Sequence, residues 1–478
     1  MDLQEFTAYC KSKGFVFPSS EIYGGLSGFF DYGHLGTLLK KNIIDSYWRN
    51  FVLKHENIIG QDASIISNPT VWHASGHVEQ FADPIIITKN HRYRADHFVE
   101  EKLNIPTDGL SVEQLMTLIE ENDLKYEGEK VISVERKNLM LTTYVGTSTE
   151  PAYLRPETCQ AIFCNAKYLA NMERLSLPFG ICQVGKAFRN EIAPRNFIFR
   201  CREFEQMEME YFFDPFSKCK KEFEDIELQV LFSESKTTET YKLRTLSEKV
   251  NSHHLFWIYS FYTWLTNVIG LKKEKLRLRE HHKTELSHYS SATFDIDYFY
   301  PFATDNSEGS FRELCGIANR SNYDITQHAK FSKKNLYMKD KDGENIYPHV
   351  IEPSIGLDRL FLAILCDAYE YDKEREYVVL HIDKKLSPIQ YAVFPLFNKS
   401  YPKEDFINMG RKVFDSLIDN GYSAVYDQSG SIGKRYARQD EIGTPFCLTI
   451  DEISLQDGTV TLRHRDSKSQ ERVKYGDL

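Results

Sequence analysis

Charged and aromatic residues recur at every second position in one segment of the chain. If the segment from Phe199 to Phe212 forms a β-strand, alternation puts one set of side chains on a single face: Arg200, Arg202, Phe204, Gln206, Glu208 and Glu210. Guanidinium groups bind phosphate, an aromatic ring stacks on a base, and carboxylates bind an amine. This face therefore fits a ligand that is both anionic and aromatic. The alternative is a solvated outer face of an antiparallel sheet, with its charges in salt bridges.

The preceding segment predicts a second strand whose surface leaves room for such a ligand. Gly185, Ala187, Arg189 and Glu191 share one face of it, and the first two are small. The whole stretch 179–213 is predicted to form two strands joined by a turn at the proline at position 194. The small residues of the first strand and the charged residues of the second would then border one space above the sheet.

The segment from Ile351 to Arg359 carries another charged group that could serve chemistry. The pattern predicts a strand that ends at Gly356 and a helix that begins there, so Arg359 lies in the first helical turn. A cation at that place opposes the helix dipole, at a cost of a few tenths to about 1 kcal/mol. A bound anion or an acidic side chain must compensate it. The alternative is a surface arginine paired with a neighbouring acid such as Asp358.

Length and composition limit the class of protein. With 478 residues the chain is too long for one ordinary core, and two or three domains are expected. A hydrophobic content of 41% and a charged content of 27% are typical of a globular protein. The first residues lack the basic and apolar segments of a signal peptide, and the most apolar stretch, 254–269, is too short to span a membrane. We therefore expect a cytoplasmic protein with no membrane segment.

The net charge and the cysteine content limit which binding partners and which metal sites are expected. The net charge of −10 argues against a surface coated throughout for nucleic acid, although it is compatible with local basic surfaces. The nine cysteines show no C-x-x-C spacing, so neither a disulfide framework nor a zinc ribbon is expected. Most of these cysteines should be free thiols in the core.

Changes of pattern divide the chain into segments. Apolar residues at helical spacing predict one amphipathic helix from Leu35 to Val52. Small polar helices are expected as an insertion at about 98–140, and a second, helical insertion is expected at about 218–285. A charged linker, Tyr369 to Glu376, then leads to a small α/β domain at 375–478.

The ordered set of motifs resembles the class II aminoacyl-tRNA synthetases, and specifically the glycyl-tRNA synthetases of the homodimeric type. Phe188–Glu191 together with Phe199–Glu208 is similar to motif 2, Gly356–Arg359 to motif 3, and the helix from Leu35 to motif 1, the dimer-forming element. Further phrases match the glycine family: Ser20–Leu26, Trp72–His77, Arg94–His97, Leu154–Thr158 and Gly316–Arg320. The resemblance runs from about Lys13 to Val473.

The resemblance implies an α+β fold. Residues 1–370 would form a class II catalytic domain, an antiparallel sheet flanked by helices that carries both insertions, and residues 375–478 an anticodon-binding domain. The implied enzyme activates glycine with ATP to glycyl-adenylate and transfers it to the 3′ end of tRNA(Gly), as a homodimer. ATP would act as a substrate with Mg²⁺. No zinc is expected, because Ile86–His91 lacks the cysteines that some relatives carry there.

The resemblance also assigns roles to matching positions of this chain. Arg189 and Arg359 would be catalytic: Arg189 would hold the α-phosphate, and Arg359 would face the adenine and the γ-phosphate. Glu191 would meet the adenine amino group, and Phe204 would stack on the base. The full ATP-binding set is Arg189, Asn190, Glu191, Phe199, Arg200, Cys201, Arg202, Glu203, Phe204, Glu313, Leu314, Gly356, Leu357, Asp358 and Arg359.

The resemblance implies that three glutamates bind the glycine ammonium: Glu157, Glu208 and Glu352. Ser354 would lie beside them, and Arg94 would lie at the substrate end. Carboxylates give charge-assisted hydrogen bonds to an ammonium, and a crowded pocket excludes any side chain. The full glycine-binding set is Arg94, Glu157, Phe204, Glu205, Gln206, Met207, Glu208, Glu352, Pro353, Ser354, Ile355 and Gly356.

The C-terminal residues Lys434, Arg435 and Arg438 are candidates to contact tRNA phosphates, which would explain RNA binding by an acidic protein. An ordinary solvated charged loop is the alternative.

Two rival functions come from other classes of protein. A non-catalytic binding protein of this fold would not need the complete ATP-binding set, and a synthetase for another amino acid would not need three glutamates around a minimal pocket.

Overall fold

The computed structural model describes residues 2–105, 107, 110–235, 237–283, 286, 290–302 and 309–477. Its first part confirms the predicted amphipathic helix. Leu39, Ile43 and Tyr47 are buried at helical spacing, and after Trp48 the helix continues as a π-helical turn to Leu53. The elements here are α1 (Leu3–Ser12), β1 (Val16–Pro18), β2 (Phe30–Tyr32), α2 (His34–Trp48), β3 (Ile58–Gln61), α3 (Thr70–Ala74) and α4 (His77–Gln80).

A small unit with its own core follows, and it contains strands as well as helices. Its elements are β4 (Ala82–Ile87), β5 (Arg92–Arg94), α5 (Ala95–Leu103), α6 (Val112–Glu121), β6 (Lys125–Tyr126), β7 (Glu129–Lys130) and β8 (Ser133–Asn138). The sheet order is β5-β4-β8, and Ile86, Phe98 and Leu115 lie in the core beneath it. The prediction of small polar helices alone is therefore wrong. Strand β8 is mostly exposed and charged, so it lacks the apolar alternation that marks a strand in the sequence.

The two strands predicted within 179–213 pair with each other, but the second strand begins at Glu203 and not at Phe199. The elements are β9 (Leu141–Thr143), β10 (Ala152–Leu154), α7 (Cys159–Met172), β11 (Phe179–Phe188) and β12 (Glu203–Phe213). β11 and β12 are antiparallel. A start at Phe199 is wrong, because Asn196 and Phe197 adopt positive φ and the chain forms a short 3₁₀ turn there. Arg200 and Arg202 thus precede the strand.

The segment predicted as a helical insertion is mixed. Its elements are β13 (Glu227–Leu231), β14 (Glu239–Lys242), α8 (Ser252–Asn267) and β15 (Leu276–Glu280). The most apolar stretch of the chain lies in helix α8, which is buried over most of its surface, and His254 Nε2 lies 2.9 Å from the backbone oxygen of Ile317. The strands extend the central sheet instead of forming helices, since Leu228 and Val230 alternate with exposed polar residues.

The central sheet has nine strands and is mainly antiparallel. The remaining elements of this body are β16 (Ala292–Tyr300), β17 (Ser310–Ser321), α9 (Tyr323–Ser332), β18 (Met338–Lys339), β19 (Asn345–Ile346), β20 (His349–Gly356) and α10 (Leu357–Ala368). The strand order is β14-β13-β15-β16-β17-β20-β12-β11-β3, with parallel pairs only at β13–β15 and β11–β3 among the described strands. Helices α2, α8 and α10 join the main core beside it. The α+β fold class is therefore confirmed.

The predicted charged linker is a β-hairpin, and a second body follows it. The elements are β21 (Tyr369–Asp372), β22 (Tyr377–Leu380), β23 (Tyr391–Pro395), α11 (Lys403–Asp419), β24 (Ala424–Tyr426), α12 (Ile432–Asp440), β25 (Phe446–Ile450), α13 (Glu452–Asp457), β26 (Thr459–His464) and β27 (Gln470–Lys474). Charges alternate with tyrosines in β21, so the strand resembles a solvated linker in the sequence. A five-stranded sheet, β24-β23-β25-β26-β27, packs on its own core.

The two bodies are held together by side chains around one buried carboxylate. Asp440, at the end of α12, accepts hydrogen bonds from Arg375 and Tyr377 of the hairpin segment and from Arg463 of β26. Lys13 near the N-terminus also lies 2.7 Å from Glu441. Among the described residues, no helix has the length and apolar character needed to cross a lipid bilayer.

Candidate active site

A cavity of about 260 Å³ opens on the central sheet where β11 and β20 end and β12 and β17 begin. Most of the predicted site residues line it. They are Glu157, Arg189, Glu191, Phe199, Arg200, Cys201, Phe204, Gln206, Glu208, Glu313, Glu352, Ser354, Gly356, Asp358 and Arg359. The antiparallel register explains this convergence, since Gln206 lies opposite Gly356 and Glu208 lies opposite Ser354.

Arg189 lines one end of the cavity and is held by contacts other than ion pairs within the described residues. It directly follows β11, where its backbone amide donates to the carbonyl of Arg202 across 2.9 Å. Its Nε donates to the carbonyl of Pro156, and its guanidinium lies 5.3 Å from the centre of the Phe204 ring. In the described part of the chain, Arg189 forms no ion pair. A half-buried guanidinium that lies beside a ring and forms no ion pair suits an anionic group attached to an aromatic one.

The loop before β12 is held by Arg202, which does not line the cavity. Arg202 Nε donates to the carbonyl of Glu191, and its Nη1 donates to the carbonyl of Ser27. Gly28 makes this close approach possible: it has a φ of +80°, and a Cβ there would lie 2.9 Å from Pro194. Arg202 therefore holds the segment around Ser27 and Gly28 against the loop that joins β11 to β12.

Arg359 lies in the first turn of α10, as predicted, and its compensating acid is Glu313. Its Nη1 lies 3.1 Å from Glu313 Oε2, and its guanidinium lies 4.6 Å from the centre of the Phe199 ring. The alternative pairing with Asp358 is wrong. Asp358 points the other way, accepting from the Tyr32 hydroxyl and from the backbone amide of Glu205.

Asp358 also joins the active site to α2. Lys40 of that helix lies 3.9 Å from Asp358 Oδ1 and 2.5 Å from Glu205 Oε2. Both acids had been predicted as ligand contacts. The carboxylate of Glu205 turns instead toward α2, while Asp358 borders the cavity and orders the backbone at the start of β12.

A cluster of buried acids closes the other end of the cavity. Glu208 Oε1 accepts from the Ser354 hydroxyl across 2.7 Å and from Gln206, and its Oε2 accepts from the backbone amide of Thr158. Glu208 is 2% exposed, so the alternative of a solvated outer face is wrong for this strand. Glu157 and Glu352 lie beside it on the same wall.

The neighbours of these acids set their charge. Glu352 accepts from Arg320 across 2.8 Å, yet burial raises the pKa of Glu352 to about 8, with the nearby Glu208 adding to the rise. Burial also raises the pKa of Glu208, and Glu157 reinforces it. For Glu157 itself burial acts upward, but His77, 3.3 Å away, and Arg320 hold its pKa well below the usual range. The cluster therefore has more acids than cations and attracts a bound cation.

Some of the predicted residues do not line the cavity. Met207, Leu314, Ile355 and Leu357 are buried in the main core, on the opposite side of their strands or helix. Arg94 of β5 pairs with Asp83 across 2.7 Å and with Asp96. The other residues outside the lining are Asn190, Arg202, Glu203, Glu205 and Pro353.

Three lining residues of the β15–β16 side, His281, Thr293 and Asp295, are not predicted from the sequence. Asp295 is buried, and its carboxylate lies 2.7 Å from His281 Nε2. Burial raises the pKa of Asp295 to about 6, although His281 opposes the rise. The available signal was the alternation of acids with apolar residues in Phe294–Asp297, which puts charges on one face of a buried strand.

The C-terminal basic residues lie on α12, not in a loop, and one of them is buried. Arg435 is 4% exposed and donates to the carbonyl of Pro395 across 2.8 Å, so its prediction as a phosphate contact is wrong. Lys434 is exposed at the start of the helix. Arg438 is also exposed and pairs with Asp427.

Comparison with known proteins agrees with this arrangement. Residues 146–368 match the family model of the tRNA synthetase class II core domain (G, H, P, S and T), and residues 390–478 match that of the anticodon binding domain. A solved structure of prolyl-tRNA synthetase from Cryptosporidium parvum, complexed with halofuginone and AMPPNP, shares the fold with a TM-score of 0.60 at 12% identity. The match covers 99% of this chain and 73% of that one.

Curated relatives match over the whole length. Glycine--tRNA ligase of Mycoplasmopsis synoviae is 44% identical over 487 residues, covering 99% of this chain and 98% of the relative. The same-named protein of Acetivibrio thermocellus is 42% identical, covering 100% of this chain and 96% of the relative. With its class II core, its anticodon-binding domain and this full-length identity, the chain belongs to the glycine--tRNA ligase family, whose members activate glycine with ATP and transfer it to tRNA.

Proposed function

We propose that the cavity on the central sheet is the place where glycyl-adenylate forms, with ATP at its Arg189 end and glycine at its Glu208 end. One observation carries this assignment. One end of the cavity of about 260 Å³ has the guanidinium of Arg189, which forms no ion pair among the described residues, and the other end has the buried acids Glu157, Glu208 and Glu352. The two ends match the opposite charges of a nucleotide phosphate and an amino-acid ammonium.

Arg189 and Arg359 would hold the nucleotide from two sides. Arg189 contacts the α-phosphate and stabilises the charge that develops on it, while Phe204 stacks on the adenine. Arg359, fixed by Glu313 and the Phe199 ring, covers the other face of the base. Catalysis then consists of positioning and charge stabilisation, as in other phosphoryl and nucleotidyl transfers.

The three glutamates and Ser354 would define the glycine pocket. Glu208 is already oriented by Ser354, Gln206 and Thr158, so it requires little reorganisation when an ammonium binds. A larger amino acid would need space that the crowded acid wall does not have. Rejection by clash needs no editing site.

The chemistry needs no general base. A carboxylate oxygen of glycine attacks the α-phosphorus, a new P–O bond forms, and the bond to the bridging oxygen breaks so that pyrophosphate leaves. In the second step the terminal ribose hydroxyl of tRNA attacks the glycyl carbonyl, the bond between the carbonyl carbon and the phosphate oxygen breaks, and AMP leaves with the hydroxyl proton on its phosphate. The side chains of this chain bind and orient both reactants and exclude water from the cavity.

Two carboxylates of the cavity fit Mg²⁺. A Cβ added to Gly316 would lie 3.5 Å from Asp295 Oδ1 and 3.7 Å from Glu313 Oε1, so both oxygens border the same small space. Mg²⁺ prefers carboxylate oxygens together with substrate phosphates. We propose that Asp295 and Glu313 hold the Mg²⁺ that neutralises charge on the ATP phosphates.

The subunit arrangement is proposed to be a homodimer formed around β3, the edge strand of the central sheet. Asn165 of α7 donates to Gln61 of β3 across 3.3 Å, which places the outer face of α7 beside that edge. On this face Tyr168 is 66% exposed and Met172 is 58% exposed. Leu53, just before β3, is 71% exposed. An apolar patch at a sheet edge is typical of an interface between subunits.

The assignment of ATP and glycine is tested by ATP–pyrophosphate exchange with each of the twenty amino acids. We expect exchange with glycine alone in the unmodified enzyme. Glu208→Gln should raise the KM for glycine by about 100-fold, because it removes a buried charge from an ammonium contact, and leave the KM for ATP nearly unchanged. A variant that changes both values equally would place Glu208 outside the glycine pocket.

The domain boundaries remain our proposal: residues 1–370 for activation and 375–478 for tRNA binding. The supporting observation is that every residue assigned to ATP or glycine precedes Leu360, whereas the exposed Lys434 and Arg438 lie on α12 of the second body. Lys434→Glu is expected to raise the KM for tRNA and flatten its salt dependence. Unchanged tRNA binding by this variant would exclude this basic surface.

A further inference from the structure

Glu210 is a buried acid that the reaction described above does not use. It lies on β12 two residues beyond Glu208, and its side chain is 0% exposed. Neither of its carboxylate oxygens has a hydrogen-bond partner among the described residues. A buried carboxylate with no partner pays the full penalty of desolvation, which a neutral carboxyl largely avoids. Its position therefore favours the protonated form.

The immediate surroundings of Glu210 contain one acceptor that is itself part of the glycine pocket. One oxygen of Glu210, one oxygen of Glu352 and the Sγ of Cys159 all lie within 4.8 Å of one another. Glu352 lines the cavity, and its Oε2 is held by Arg320 across 2.8 Å. The carboxyl of Glu210 thus lies directly behind a carboxylate that faces the substrate.

Titratable and charged groups face Glu210 from every element packed against it. They are Glu208 on the same strand, Glu352 on β20, Arg320 on β17, Asp324 on α9 and Cys159 on α7. Burial raises the pKa of Glu210 well above its usual range, and Glu352 raises it further, whereas Arg320 opposes the rise. Arg320 also donates to Asp324, so its positive charge is shared. Of the two neighbouring acids, Glu352 has the cation and ionises more readily.

In this structure an oxygen of Glu210 lies within 4.8 Å of one of Glu352, without a hydrogen bond between them. We propose that Glu210 stays protonated and that, when glycine binds, its side chain closes this gap and donates a hydrogen bond to Glu352, so that Glu352 presents its charge to the glycine ammonium. This inference rests on the proposed glycine pocket. Glu210 touches neither substrate and acts through Glu352, as a positioning residue. Glu352 would be fixed by Arg320 and by Glu210 from behind, in the way that outer hydrogen bonds fix a ligand-binding side chain.

Two substitutions in the full-length enzyme separate this role from the alternatives. Glu210→Met keeps the size but removes the donor, and we expect the KM for glycine to rise about tenfold while the KM for ATP changes less than about twofold. Glu210→Gln keeps a neutral donor and should return the KM for glycine to within about threefold of the unmodified value. If Gln raises this KM as much as Met does, Glu210 acts as an ionised group and the proposal is wrong.

A measurement independent of activity decides the protonation state if Glu210→Met does not fold. The infrared difference spectrum between the unmodified enzyme and Glu210→Gln at pH 7.5, each saturated with glycine, should contain the C=O band of one protonated carboxylic acid. Absence of that band overturns the proposal. So does one equivalent of a divalent metal in the purified enzyme that is lost in Glu210→Gln, since the metal would then hold the two carboxyl groups and Cys159.

Failure of the underlying pocket assignment gives a different result. If Glu208→Gln and Glu352→Gln both leave the KM for glycine unchanged, glycine binds elsewhere and the pocket assignment falls with the inference. If both raise it but Glu210→Met does not, the pocket stands and only the positioning role of Glu210 is wrong.

Discussion

The guanidinium of Arg359 lies 3.1 Å from the carboxylate of Glu313, which joins the start of α10 to the start of β17. Burial alone would lower the pKa of Arg359, but Glu313 more than offsets it and raises the pKa. The pair thus supplies the acid that a cation in a first helical turn requires. Arg189, at the same cavity, forms no such pair among the described residues. Arg359 is therefore held in place by an acid of the protein, whereas the charge of Arg189 is available to a bound anion.

Arg189→Ala is expected to lower glycine-dependent ATP–pyrophosphate exchange by at least about 100-fold, because a charged contact to the reacting phosphate contributes several kcal/mol. The melting temperature should fall less than in Arg435→Ala, since Arg189 has no acid partner and its hydrogen bond to the carbonyl of Pro156 is only partly buried. Exchange kinetics measure the loss of activity, and differential scanning calorimetry measures the melting temperature. The control is Arg92→Ala, at an exposed arginine of β5, which should retain full exchange. Near-normal exchange in Arg189→Ala would exclude the phosphate contact.

The KM for glycine should fall as the pH rises from 6.5 to 8. Burial, with Glu208 nearby, raises the pKa of Glu352 to about 8, so the free enzyme carries a proton there below that pH. Binding an ammonium favours the ionised form, and the proton must leave first. A total fall of about tenfold is expected over this range, with a plateau only about one pH unit above the pKa, near pH 9. Exchange assays at saturating ATP measure it, and Glu352→Gln should lose the dependence. A flat profile in the unmodified enzyme would contradict the assignment.

Arg435 and Lys434, adjacent on α12, should differ in what they do. Arg435→Ala leaves the buried carbonyl of Pro395 without its donor and is expected to destabilise the protein by about 2 kcal/mol or more. Lys434→Ala, at an exposed position, should change stability by less than about 0.5 kcal/mol. Thermal unfolding of both variants measures this contrast. Equal melting temperatures would show that the Arg435 hydrogen bonds contribute nothing.

The proposed dimer predicts a specific sensitivity at α7. Tyr168→Asp combined with Met172→Asp introduces charge into the exposed apolar patch, and the enzyme should become monomeric at micromolar concentration. Phe216→Asp is the matched control, because Phe216 is 92% exposed but lies outside the patch. Sedimentation equilibrium distinguishes the species. A double variant that remains dimeric would place the interface elsewhere.

The parts of the fold that the sequence predicts well are those with strong periodicity. Helix α2 and the β20–α10 junction follow from apolar spacing and a glycine, and they lie where expected. Exposed, charged strands were missed: β8 and β21 bury little on either face, so no apolar alternation marks them. Local sequence cannot separate such strands from polar helices or linkers.

The site shows the same limit at the level of single residues. Motif spacing brings Arg189, Phe204 and Arg359 to one cavity, because strand and helix periods fix which way they point. The partners that set their charge come from distant segments. Neither Glu313 beside Arg359 nor His281 beside Asp295 follows from local pattern, since each pair forms only when separate strands assemble. Arg435 was misjudged for the same reason, as the carbonyl that holds it lies on another strand.

Lys40 connects α2 directly to two residues next to the active-site cavity. Its ammonium bridges Glu205, at the start of the strand that carries Phe204, and Asp358, next to Arg359. A shift of α2 would therefore pull on both sides of the adenine site at once. In the proposed dimer, whose interface includes Leu53 at the end of the extended α2, a movement at the interface would reach the adenine site through Lys40. Adenylate formation in one subunit of the proposed dimer would then change the rate of adenylate formation in the other subunit.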